Sequence, residues 1–174
     1  MQSASCKKIH IVGSVGSGKT TLARLLSHEL KVPHYELDNI MWERTYEGDE
    51  GDKRRSEADR KKCLHHIAAS KEWIIEGVHY TWVNESFNEA DLIIFLDIHY
   101  LKRIGFIIKR YVLQKAKIEK ANYAPTFSIF IKMFQWNADF EKQSKPEILH
   151  TLRTSYNDKL IIVKKREEIE HFIS

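Results

Sequence analysis

One run of eight residues near the start of the chain carries the clearest chemistry. Gly13-Ser14-Val15-Gly16-Ser17-Gly18-Lys19-Thr20 fits the pattern G-x-x-x-x-G-K-[ST] without a mismatch, and Thr21 extends the same string. Glycines let the backbone curl so that its N–H groups point at phosphate oxygens. A helix that follows presents its positive end to the same anion. Lys19 has the reach and charge for the β- and γ-phosphates of a nucleotide, and the Thr20 hydroxyl is a magnesium ligand type. The string therefore predicts ATP and Mg²⁺ as ligands.

Acidic residues recur where apolar runs end. Asp38 follows Val32 to Leu37, Glu76-Gly77 follows Trp73 to Ile75, and Asp97 follows Leu92 to Leu96. A carboxylate at such a tip either serves a site or caps the next helix. Arg103 and Arg110 are seven residues apart, which places them two turns apart on one helical face, with Lys102 and Lys109 on the neighbouring stripe. That face is either an anion clamp or a solvated basic surface. Trp42 and Tyr80 are read either as an aromatic wall for a flat ligand or as ordinary packing. None of the nine histidines shows ligand spacing, and Cys6 and Cys63 read as reduced thiols.

Elements to hold these residues follow from periodicity. Lys8 to Val12 is a β-branched run ending at Gly13, and Lys19 to Leu30 carries a helical stripe of Leu22, Leu25, Leu26 and Leu30. The phosphate-binding string thus falls between a buried strand and a helix. Further strands are predicted at Val32–Leu37, Trp73–Ile75, Leu92–Leu96 and Leu160–Val163. Glu43 to Lys62 reads as a charged loop running into a helix that starts with a capping-box-like Ser56 and Asp59 and buries Leu64, Ile67 and Ala68. A basic helix is expected from Tyr100 to Lys115, an aromatic helical stretch from Phe127 to Phe140, and a last helix from Glu167 to Ile173. In the aromatic stretch, Phe127, Phe130, Ile131 and Phe134 form one stripe and Met133, Trp136 and Phe140 another; both are read chiefly as core. Strands too apolar for an exposed sheet, alternating with helices, imply an α/β three-layer fold around a parallel sheet.

Composition narrows the class. With 174 residues, 43% hydrophobic and 30% charged, the chain reads as an ordinary globular domain. Its longest apolar run, Leu92 to Leu96, is too short to cross a bilayer, and no apolar segment lies behind the first lysines before the first predicted strand. We therefore expect a cytoplasmic protein with no membrane partner. The net charge of +4 is uneven: Leu101 to Lys120 holds seven basic residues against Glu119 alone, which suggests an anionic ligand there. N-K-x-D, D-x-x-G and L-S-G-G-Q strings are absent, which argues against guanine-nucleotide switches and transporter ATPases. Ring-forming ATPases need a second helical domain that this length does not easily hold.

Gly13 to Thr21, the compact size and the five-strand pattern resemble the nucleoside-monophosphate kinase group. Leu37-Asp38-Asn39-Ile40-Met41-Trp42, then Trp73 to Tyr80, then Phe95-Leu96-Asp97 before an arginine-bearing helix are similar to the adenylate-kinase-related DNA topology modulation proteins. The resemblance implies a P-loop NTPase fold with sheet order 2-3-1-4-5, one domain over residues 1–174, an acceptor-side region at 39–70 and a lid-like region at 101–128. By the same resemblance Glu76 is favoured over Asp97 as the water-mediated magnesium ligand. Asp38, Trp42, Gly77 and Tyr80 fall on the acceptor side, and Arg103 and Arg110 become the clamp on the transferring phosphoryl group. Adenylate kinases carry a proline and an arginine after strand three, whereas this chain reads Glu76-Gly77-Val78-His79-Tyr80. The reader of an acceptor phosphate is missing there, with Arg44, Arg54 and Arg55 as possible replacements. Two functions follow: a kinase acting on a nucleotide, nucleoside or similar small molecule, favoured, and an ATP-dependent regulator that touches DNA through its basic helix.

Overall fold

A computed structural model of the chain describes residues 6–43, 53–118, 126–165 and 168. Five strands, β1 (Lys8–Gly13), β2 (His34–Glu36), β3 (Trp73–Gly77), β4 (Leu92–Leu96) and β5 (Leu160–Val163), form one sheet in the order β2-β3-β1-β4-β5. Every pairing is parallel, as the resemblance implied. β1 sits at the centre, with Val12 opposite Gly77 on one side and Phe95 on the other. Gly13 and Leu96 pair at the carboxyl edge.

The period of two along each strand sorts side chains into two cores. Ile9, Ile11, Ile74, Ile94 and Leu96 face Leu22, Ala23 and Leu26 of α1 (Lys19–Leu30). Val12, Trp73, Ile75, Ile93 and Phe95 face the other side. There they meet Leu64 of α3 (Glu57–Ala68), Phe87 of α4 (Asn84–Glu89), and Ile148 and Leu152 of α7 (Lys145–Ser155). The apolar strands are covered on both faces, which is why they read as continuous runs.

Several boundaries depart from the sequence reading. β2 ends at Glu36 because the chain turns into α2 (Leu37–Met41), whose fully buried Leu37 packs against Gly77. A Cβ on Gly77 would lie 2.7 Å from Leu37, so that glycine is required by packing alone. Part of the charged loop is ordered as a two-residue antiparallel ribbon, Trp42–Glu43 with Lys53–Arg54. Ser56 caps α3 as expected, accepting a hydrogen bond from the Asp59 N–H at 3.1 Å. The basic helix is α5 (Tyr100–Lys115), and the aromatic stretch is α6 (Phe127–Asp139) followed by a π-helical turn, Phe140–Ser144. α7 was not foreseen. Apart from Glu168, the predicted final helix lies outside the described residues, as does Arg44.

The two amphipathic helices point differently from expectation. In α6 the buried stripe is Met133, Asn137 and then Phe140, while Phe127, Ile131 and Trp136 are exposed. Phe130 instead joins α6 to α5, stacking on Tyr111 with ring centroids 4.2 Å apart. In α5, Arg103, Ile107 and Gln114 are buried, and Leu101, Ile108 and Val112 face outward.

Candidate functional site

The carboxyl edge of the sheet is where α/β folds place ligands, and the chain's chemistry gathers there. Between β1 and α1 the loop turns through Gly16 (φ 73°) and Gly18 (φ 90°), both in the left-handed region that suits glycine. Gly18 occupies the N-cap position of α1, leaving the first amides of the helix uncapped by any side chain. The Ser14 carbonyl accepts from the Ser17 N–H at 3.2 Å and from the Lys19 ammonium at 3.0 Å. Lys19 is thus folded back over its own loop. Ser14 and Ser17 are buried, Lys19 and Thr20 half-buried, and Thr21 exposed on α1.

Glu76, at the tip of β3, reaches into this loop. The Thr20 hydroxyl donates to its Oε1 at 2.5 Å. Burial pushes the Glu76 carboxyl up, against the pull of Lys19 and the Thr20 hydrogen bond; the nearby Glu36 and Asp38 carboxylates push it the same way as burial. A hydroxyl and a buried carboxylate side by side are hard oxygen donors, and such a pair fits Mg²⁺ held partly through water. Asp97, the rival, is engaged elsewhere: Lys145 of α7 binds its Oδ1 at 2.6 Å. Nor does Asp97 cap α5, since His99 accepts from the Leu101 N–H there. Among the described residues no group of three or more His, Cys, Asp or Glu is arranged to hold a metal.

α5 forms the other wall of the loop. A Cβ on Gly16 would meet the Arg103 carbonyl oxygen at 2.8 Å and Ile107 at 3.0 Å. The Arg103 side chain is only 1% exposed, which overturns the solvated-face reading. It donates to Glu141 and lies over the rings of Tyr100 and Phe140. Lys145 bonds Glu141 as well, at 2.9 Å, linking Asp97, Lys145, Glu141 and Arg103 in one chain of charge. Burial opposes the Glu141 carboxylate, but Lys145 and Arg103 hold it below the usual range. Arg110 is half-buried on the same side of α5.

The acceptor-side candidates are more dispersed. Asp38 sits in the first turn of α2 and is not its cap, because Glu36 holds that position. Its carboxylate is 3.6 Å from His79 Nε2. Trp42 is exposed on the ribbon, while Tyr80 is tied to α7 by a 2.7 Å hydrogen bond to Glu147. The two rings are thus carried by different supports. Arg55 donates to the Asn39 and Ile40 carbonyls, and Arg54 pairs opposite Trp42 in the ribbon. A shallow groove of about 520 Å³ between α3 and α4, lined by residues such as Lys61, His65 and Trp82, lies beside this region.

Sequence reasoning missed Asn137, Glu141 and Lys145. Asn137 accepts a 3.2 Å hydrogen bond from the Ser14 hydroxyl. The signals were one polar residue in an aromatic stripe and an acid four residues before a lysine, both too common to single out.

A parallel sheet with a glycine-rich phosphate-type loop at its central strand defines a P-loop NTPase fold. Within that class, the family model described as an AAA domain matches residues 9–112, and the chain belongs to that family. The match covers the nucleotide-binding core, so the size argument against ring-forming ATPases has no bearing on it. The protein YqaC of Bacillus subtilis (strain 168), itself uncharacterized, is 33% identical over 91 residues, 52% of this chain and 48% of that protein. The chain thus matches about half the length of that relative. Among solved structures, shikimate kinase from Acinetobacter baumannii in complex with shikimate shares the fold at 14% identity and a TM-score of 0.58, over 97% of this chain and 92% of that one. A gluconokinase from Sinorhizobium meliloti 1021 does so at 15% identity and a TM-score of 0.51, over 96% and 87%.

Proposed function

We propose that the protein is an ATP-dependent small-molecule kinase. The observation that carries this reading is the closed set at the carboxyl edge: Lys19 on the Ser14 carbonyl, and the Thr20 hydroxyl against buried Glu76. The loop amides and the N-terminus of α1 bind the phosphates of ATP, and Lys19 leaves the Ser14 carbonyl for the β- and γ-oxygens. Thr20 and Glu76 would hold Mg²⁺, which would supply charge neutralisation at the phosphates. Asp38, oriented by His79, accepts the hydroxyl proton of the acceptor. Charge relief at the transferring group falls to Lys19 and to the α5 arginines Arg103 and Arg110, with Arg103 joining on release from Glu141. The shared fold of shikimate kinase and gluconokinase makes a small hydroxylated acid an acceptor class to test beside nucleotides and nucleosides.

The test is ADP release from ATP-Mg²⁺ across nucleotides, nucleosides, sugars and hydroxy acids. One acceptor class is expected to raise the rate, and Lys19→Ala to lower that rate by roughly a hundredfold or more. ATP binding with no acceptor-dependent release in the whole panel would sink the kinase reading. It would favour the second one, a DNA-associated regulator, for which the exposed Lys102, Lys109, Lys115 and Lys117 speak. Salt-dependent retardation of duplex DNA is the check on that alternative.

A further inference from the structure

The phosphate loop is braced from outside the family-matched core. Residues 9–112 carry the loop, α1 and most of α5, yet the side chain that bonds Ser14 comes from residue 137. Asn137 is fully buried on the inner stripe of α6, one turn after Met133 and just before Phe140 opens the π-helical turn. π-Turns inside helical stretches are uncommon and concentrate at functional sites. Ser14 is the hub of the loop. Its carbonyl holds both the Ser17 N–H and the Lys19 ammonium, and its hydroxyl goes to Asn137. The bond persists for either orientation of the amide, because a hydroxyl both donates and accepts.

Packing alone does not account for an asparagine there. Among the described residues its Nδ2 is buried without a partner, and so is the Ser17 hydroxyl in the loop itself. A leucine of similar size would fill the space between Met133 and Phe140 without burying an unpaired amide. A buried polar group kept at such a position is explained by the one bond that it makes. Resting on the ATP reading above, we propose that Asn137 is a positioning residue for nucleotide binding. It fixes Ser14, and through the Ser14 carbonyl it presets the Lys19 ammonium over the loop.

The experiment measures the dissociation constant of ATP-Mg²⁺ by calorimetry, and the thermal midpoint without nucleotide, on the full chain. Asn137→Leu is expected to weaken binding about tenfold while moving the midpoint by no more than a few degrees, since the unpaired amide has gone but the buried Ser14 hydroxyl loses its partner. Ser14→Ala should weaken binding to the same degree. The double variant should bind within about twofold of either single one, because both remove the same bond. Binding by Asn137→Leu within twofold of wild type, or additive losses in the double variant, would overturn the proposal. So would a drop in midpoint accompanied by unchanged affinity. If Asn137→Leu does not fold, Ser14→Ala alone decides, and wild-type affinity in that variant overturns the idea. Wild-type protein that binds no ATP-Mg²⁺ brings down the nucleotide reading and this role together; binding by the wild type with no effect of the variants brings down this role only.

Discussion

Gly16 and Gly18 share a left-handed backbone, but among the described residues only Gly16 has a neighbour in the way of a Cβ. A Cβ on Gly18 meets nothing within 4 Å, whereas one on Gly16 strikes the Arg103 carbonyl. Gly18→Ala should therefore cost about 1–2 kcal/mol, the conformational penalty alone. Gly16→Ala should cost roughly 1–3 kcal/mol more, because backbone atoms of α5 must move. Urea unfolding of the two variants side by side checks the difference; equal losses would mean that α5 yields freely. Residues of this kind were legible because the chemistry of a phosphate loop is written in contiguous letters. Lys19, Thr20 and the glycines name themselves. Asn137 does not, since its partner is 123 positions away and an asparagine among aromatics has no periodic signature. Asp38 was expected at the end of the second strand, but that strand stops one residue before the predicted run ends, so Asp38 falls in the first turn of α2.

At the scale of elements, β1, β4, β5, α1 and α5 match their expected spans closely, because buried parallel strands and long amphipathic helices carry strong patterns. Which way α5 faces was not legible. A helix with arginines and isoleucines ordinarily turns its apolar stripe inward, yet here Arg103 is inside and Ile108 outside. The inversion depends on Glu141, which offers Arg103 a counter-charge that no local pattern reveals. Glu141→Gln should destabilise the fold by about 1–3 kcal/mol. That is less than the loss of a fully enclosed pair, since the Glu141 side chain is 35% exposed. Lys145 keeps Asp97 as partner in that variant, so the loss belongs to Arg103. An unchanged denaturation midpoint would show that the rings of Tyr100 and Phe140 suffice to hold the guanidinium.

For the whole molecule, pH acts through the centre of the sheet. His10 of β1 is fully buried, bonded to Ser86 Oγ at 3.0 Å, and desolvation lowers its pKa to about 3. The unfolded chain takes up a proton near pH 6.5 that the folded chain refuses. Stability contributed by neutral His10 is thus complete above pH 6.5. It falls by up to about 1.4 kcal/mol per unit as pH drops toward 3. Glu76 works in the opposite sense, because its raised pKa lets the folded chain accept a proton first. His10→Leu leaves Ser86 bonded to the Val83 carbonyl and should flatten the acid limb; urea midpoints from pH 7 to pH 4 for both proteins give the comparison. Parallel slopes would exclude His10 as the source.

The sheet order also sets a sequence of events in time. β1 and its loop leave the ribosome before the strands they pair with: β1 pairs with Trp73 and Leu92, and Ser14 waits for Asn137. Each of those closures spans more than sixty residues, a slow kind of contact to form. A nascent chain therefore displays the complete nucleotide-binding motif long before it possesses a nucleotide-binding shape. Nucleotide can reward folding only in its last stage, when the chain beyond α5 has folded back over a loop made a hundred residues earlier.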